Sequence, residues 1–222
     1  YTVKADGTIG EHIRKPDTTI IYPALETSTL TALVGIYLAK LDGLDPATVA
    51  VHVIDHLNAA IIDLDVDEFG HRHIYARAHH MQETNFEFDT FYLPEEFLIK
   101  FRAGFYFNEE AAKVQKLCSS LEAGSTVSVS DDGMSQTVVI TAGTINKTPV
   151  TLPAEGVPLI PWRTFRDAAP VESKFLLRMK TFKDGAPKIA LFEIDEKWKL
   201  DTVGAIRDYL KAHLPEGATI LA

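Results

Sequence analysis

Segments of strand period occur in adjacent pairs joined by short turns, and segments of helix period stand singly between them. A doubly wound parallel sheet needs strands and helices in regular alternation, whereas hairpins between isolated helices build antiparallel sheet. The expectation is an α+β fold, an antiparallel sheet built of hairpins with about four helices. With 222 residues, 46% of them hydrophobic, the chain can bury a full core. It reads as a single α+β unit over 1–222, with an acidic, histidine-rich part over 1–123 and a hairpin-rich part with a C-terminal helix over 124–222. No apolar run approaches the ~18 residues of a membrane span. The single Cys118 excludes an internal disulfide framework and a thiolate zinc cage. A reducing compartment, the cytoplasm, is the expected location.

Residues 1–23 read as an irregular lead-in or edge strand, with Gly7, Gly10, Pro16 and Pro23 punctuating 18–22. Thr27 or Ser28 caps a first helix whose apolar face is Leu30, Leu33, Val34, Tyr37, Leu38 and Leu41, ending at Gly43. A short β-branched run covers 49–55. Residues 61–67 alternate, with Ile61, Asp63, Asp65 and Asp67 on one side and Ile62, Leu64 and Val66 on the other, and a turn at 68–70 leads into a partner strand over 71–80. Pro94-Glu95-Glu96 opens a helix over 97–105, and Asn108-Glu109-Glu110 opens another to about residue 121. A hairpin over 126–130 and 134–141 follows, then a proline-punctuated extended connector over 148–161. Residues 173–182 and 187–194 form a further hairpin. Asp201 caps a last helix to about residue 213, ahead of a terminal strand at 218–221.

The net charge of −9 is unevenly distributed. Residues 1–111 carry eight Lys/Arg against eighteen Asp/Glu, and seven of the eight histidines, while 112–222 is nearly neutral. Between Arg163 and Lys188 the sign reverses, with seven basic residues against three acidic ones. Duplex nucleic-acid binding by bulk charge is disfavoured, because phosphate neutralisation needs a concentrated basic surface.

The run Asp63-Leu64-Asp65-Val66-Asp67 invites a calcium reading but fails it: the sixth and twelfth loop positions, which an EF-hand fills with Gly and Glu, hold Glu68 and Ile74. If Asp67 pairs near His71, then Asp65 opposes His73 and Asp63 opposes Tyr75. Asp65, Asp67, His71 and His73 then share a face and form a candidate zinc or iron site. The competing readings are a solvated face of cross-strand ion pairs, each contributing about 0.2–1 kcal/mol, and a pH-sensing imidazole cluster. His52 and His56 read as surface or structural.

Phosphate-binding glycine loops, dinucleotide fingerprints, nucleophile elbows and kinase motifs are missing. Cys118 reads as a buried inert thiol, and no cofactor is expected. The dense aromatic run from Phe86 to Phe107 reads as core, with base stacking or the lining of a pocket as the alternatives. Lys174, Arg178 and Lys180 alternate with Phe175, Leu177 and Met179, which puts the cations on one strand face. That face suits either single-stranded nucleic acid or the acidic part of another subunit, and the subunit is favoured, with contact between the acidic and basic regions of one chain as the equal alternative to contact between subunits.

Several stretches in the second half look familiar together: DDGMSQTV at 131–138, TPVTLP at 148–153, LIPWRTF at 159–165, PVESKFLLRMK at 170–180 and ALFEIDEKWKLDTVGAIRDYL at 190–210. In these the chain resembles the YfdQ-like family of uncharacterised bacteriophage and prophage proteins. The resemblance implies a phage-encoded protein made in a bacterial cytoplasm, and supplies no activity or ligand. Polar residues in these blocks, Ser135, Gln136, Arg163, Glu172 and Lys174, are candidate partner contacts, with turn and hairpin chemistry as the competing reading. The leading expectation is a non-enzymatic accessory protein acting through homo-oligomeric assembly or macromolecular binding. The alternatives are a metal-binding protein or metal-dependent enzyme using the Asp/His hairpin, and a single-stranded nucleic-acid factor using Arg163, Lys174, Arg178 and Lys180.

Overall fold

The computed structural model describes residues 2–3, 9–10, 23–81, 85–119, 126–131, 136–142, 146–182 and 186–222. Residues 18–22 of the expected lead-in or edge strand, the turn at 132–133 and Ser135 lie outside the described residues. In chain order the first elements are β1 (Thr2–Val3), β2 (Ile9–Gly10), β3 (Leu25–Thr27), α1 (Leu30–Ala39), β4 (Val49–Val53), β5 (Asn58–Asp63) and β6 (Ile74–His79). Next come α2 (Pro94–Gly104), α3 (Glu109–Ser119), β7 (Thr126–Asp131), β8 (Gln136–Ala142) and β9 (Asn146–Leu152). The chain closes with β10 (Val157–Leu159), β11 (Ser173–Thr181), β12 (Pro187–Glu193), α4 (Lys197–His213) and β13 (Thr219–Leu221). The fold is α+β, with four α-helices among the described residues and sheets made mostly of antiparallel hairpins.

The largest sheet has the order β13-β4-β5-β6-β3. Its central hairpins are antiparallel, while both edge strands, β13 beside β4 and β3 beside β6, run parallel to their neighbours. Helices α1 and α4 pack on it through Leu30, Leu33, Tyr37, Ile206 and Leu210, over Val49, Val51, Ala59, Ile61 and Ala76. Thr29 caps α1 by accepting from the Ala32 amide at 3.2 Å, a contact of about 1 kcal/mol. Asp167 adds a cap from far along the chain, accepting from the Leu30 amide at 3.1 Å and the Thr31 hydroxyl at 2.5 Å. Lys40, at φ 50°, ends the helix in the left-handed region.

A second core gathers α2, α3 and the hairpins β7-β8-β9 and β10-β11-β12 around Phe86, Phe97, Phe101, Phe105, Phe175, Leu177, Met179, Ile189 and Leu191. The aromatic run is therefore largely core, as its spacing implies. Pro94 and the two glutamates that follow open α2, and Asn108 caps α3 through the Ala111 amide at 2.8 Å. The two cores do not divide the chain at residue 123: α2 and α3 join the second, and Phe165, Ala168 and α4 return to the first.

Three local expectations are corrected. Thr29, and not Thr27 or Ser28, caps α1. Helix α4 begins at Lys197, one turn before Asp201, which instead pairs with Lys197 at 3.0 Å, while Asp195 accepts from the Lys197 amide. Strand β5 ends at Asp63, so the alternation through Asp67 is not strand, and Leu64 and Val66 are exposed. A register shift at Ile61/Ile62 brings Asp63, not Asp65, opposite His73, with the Asp63 amide donating to the His73 carbonyl at 2.9 Å.

Candidate binding face on the C-terminal sheet

Strand β11 alternates as its sequence demands. Ser173, Phe175, Leu177 and Met179 are buried, while Lys174 and Lys180 are exposed and Leu176 and Arg178 half-buried. Strand β12 pairs with it so that Leu176 faces Phe192, Arg178 faces Ala190 and Lys180 faces Lys188. These residues therefore share the outer side of the sheet, where Ala190 is nonetheless fully buried. A bridge between Tyr92 and Ile189 adds a fourth strand segment, held by backbone bonds of 2.8 and 2.9 Å. Tyr92 turns into the core, and its neighbour Phe91 emerges on the outer side, 5.8 Å from Phe192 and 5.5 Å from Phe182 between ring centroids. Lys180 and Lys188 lie 5.5 and 4.7 Å from the Phe182 ring centroid. The face thus interleaves Lys174, Arg178, Lys180 and Lys188 with the half-buried rings of Phe91, Phe182 and Phe192.

Glu193, the one carboxylate of β12, lies on the opposite side, in register with Phe175. There Arg163 takes it at 2.7 Å and also donates to the Ser173 hydroxyl at 2.6 Å. With that carboxylate on the inner side, the charged side chains that β11 and β12 place on the outer side are Lys174, Arg178, Lys180 and Lys188. Arg163 itself is 7% exposed, with its guanidinium 3.4 Å from the Trp198 ring centroid. Burial pulls its pKa below the ordinary arginine value, and the Glu193 carboxylate opposes that shift. This corrects the expectation that placed Arg163 among the contact residues: it supports the sheet from beneath. Glu172 is exposed two residues before Lys174, and Gln136 opens β8 in register with Asp131 and Leu152.

The Asp/His hairpin has a different character. Asp65, Asp67 and His71 are exposed and His73 half-buried, along an open groove of about 780 Å³ that Arg72, Tyr75 and Arg77 also line. Among the described residues no three His, Cys, Asp or Glu side chains come together as a metal-ligand set. Asp67 is committed to its own turn. It accepts from the His71 and Phe69 amides at 2.7 and 2.9 Å, and the His71 amide is the largest cause holding its carboxyl below the usual range. Cys118 is fully buried, and burial pushes its thiol well above the ordinary range, which keeps it protonated and inert.

Sequence reasoning found three of the four cations and missed the phenylalanines. Phe91 was grouped with the core run, and Phe182 and Phe192 join it only through strand pairing. The available signal was parity: Phe192 lies two and four residues from Ala190 and Lys188, and so shares their side. Comparison with protein-family models, curated proteins and solved structures returns no match for this chain. Among the described residues no helix is long and apolar enough to cross a membrane.

Proposed function

We propose that this chain is a non-catalytic binding protein for single-stranded nucleic acid, with the outer face of β11 and β12 as its working surface. The observation that carries the reading is the interleaving of Phe91, Phe182 and Phe192 with Lys174, Arg178, Lys180 and Lys188 on one sheet face. Exposed bases stack on aromatic rings, and each stacked base is worth about 1–3 kcal/mol, while cations track the phosphates. A duplex hides its bases and rewards bulk charge, which a chain of net charge −9 does not offer. A short local strip suits a short single-stranded footprint.

Binding of a labelled oligothymidylate, followed by fluorescence anisotropy across a salt series, tests this. Three or four phosphate contacts give a slope of log K against log salt of about −2 to −3. No binding at low salt, or an affinity indifferent to salt, overturns the reading.

A further inference from the structure

The hairpin between β5 and β6 presents an aromatic residue that its own fold cannot absorb. Phe69 is 75% exposed, and Val66 beside it is 54% exposed. The tip is nonetheless rigidly built. Asp67 donates its amide to the His71 carbonyl at 2.8 Å, accepts the Gly70 amide at its own carbonyl at 3.0 Å, and accepts the Phe69 and His71 amides on its carboxylate. Gly70 takes the left-handed φ of +82° that the turn requires. The Arg72 guanidinium closes the base of the loop by donating to the Asp63 and Leu64 carbonyls. A turn fixed in this way holds Phe69 outward and lowers the ordering cost of docking it. The hairpin end from Asp63 to His73 carries Asp63, Asp65, Asp67 and Glu68 against Arg72. Within this sheet Arg77 pairs with Glu26 at 3.4 Å, and His71 Nδ1 lies 3.7 Å from the Asp67 carboxylate.

The outer face of β11 and β12 is the complement in both respects. Its cations Lys174, Arg178 and Lys180 surround apolar surface from Leu176, Phe192 and Ile194, the last 43% exposed. We infer that the acidic hairpin tip of one copy docks on this face of a second copy, with Phe69 seated on the Leu176–Phe192 surface and the flanking carboxylates against the lysines. The contact is heterologous, joining two different patches, so copies associate head to tail. It uses the face proposed above for nucleic acid, so oligonucleotide and hairpin compete for it.

A charge-swap experiment tests the inference, with sedimentation velocity as the readout and circular dichroism as the folding control. One variant reverses the tip (Asp65→Lys with Glu68→Lys), and the other reverses the face (Lys174→Glu with Lys180→Glu); all four positions are exposed. Wild type is expected to associate at low salt and to separate at high salt. Each variant alone is expected to associate about tenfold or more weakly, while an equimolar mixture regains association, because reversed tip then meets reversed face. Phe69→Ser is expected to weaken association without altering the melting temperature. A monomeric wild type at low salt, undiminished association of either variant alone, or a mixture that stays monomeric overturns the inference. The nucleic-acid reading is separated by the tip-reversed variant, which keeps the face: oligonucleotide binding by that variant holds or fails independently of association.

Discussion

The Arg163 guanidinium lies 3.4 Å from the Trp198 ring centroid while its nitrogens bond Glu193 and Ser173. One side chain thereby fastens the 160–172 loop to β11, β12 and the first turn of α4. Truncation leaves the Glu193 carboxylate half-buried and unpaired, so Arg163→Ala is expected to lose about 2–4 kcal/mol in urea unfolding. Arg163→Lys recovers little of this, because a point charge reproduces neither the two-nitrogen bonding nor the stacking. A loss below about 1 kcal/mol would show that the pair is dispensable.

Trp198 contributes its ring and not its indole N–H, which is buried without a hydrogen-bond partner among the described residues. Trp198→Phe is therefore expected to fall within about 1 kcal/mol of wild type, since it removes an unsatisfied donor while keeping an aromatic face. Trp198→Ala is expected to lose about 3–5 kcal/mol. Equal losses in the two variants would assign the indole N–H a role that the geometry does not.

His56 meets the Trp198 ring edge-on at 4.9 Å between centroids, and burial holds its imidazole below the ordinary value. Asp55 and Glu196 favour the cation, while Lys199 and Arg163 oppose it. Because the unfolded chain binds the proton more readily, the stability from neutral His56 is complete above about pH 6.5 and is lost as pH falls through the lower folded value. Thermal melts from neutral to mildly acid pH are expected to fall more steeply for wild type than for His56→Asn. Parallel pH profiles would remove His56 as the cause.

Phe175 and Phe192 sit on opposite sides of the same sheet and separate core from face. Phe175 is fully buried, so Phe175→Ala is expected to cost about 3–5 kcal/mol of stability. Phe192→Ala is expected to leave most of the stability and to weaken oligonucleotide binding by about 1–3 kcal/mol. Unchanged anisotropy with Phe192→Ala would take that ring out of the binding surface.

Gly156 lies at φ +86°, and an added Cβ would stand 2.4 Å from Ile194 Cδ1 and 3.1 Å from the Phe175 carbonyl oxygen. The Ile194 methyl can move, but the backbone oxygen and the left-handed φ cannot easily adjust. Gly156→Ala is expected to cost about 1–3 kcal/mol, measured by chemical denaturation. Stability equal to wild type would mean that the β9–β10 turn relaxes freely.

The hairpins and helices were legible because each rests on local chemistry. Alternation placed Phe175, Leu177 and Met179 inward along β11, and Pro94 and Asn108 marked two helix starts correctly. The β5–β6 hairpin was read with the wrong pairing because a register shift at Ile61/Ile62 and the Arg72 bonds to two carbonyls leave no mark in residue period. Asp201 is a cap residue type that also occurs inside helices, and the carboxylate that meets the first amide of α4 belongs to Asp195.

What the sequence determined by itself is therefore the α+β class, the sidedness of β11, the acidic bias of the first half and the absence of familiar catalytic motifs. Tertiary structure alone decided that Arg163 would be buried against Glu193, and that Phe91, Phe182 and Phe192 would converge among lysines. The physical reason is range. Helical period, strand parity and capping act over a few residues, whereas burial of a charge and convergence of a surface depend on partners tens of residues apart, brought together only when the sheets pair and the cores close.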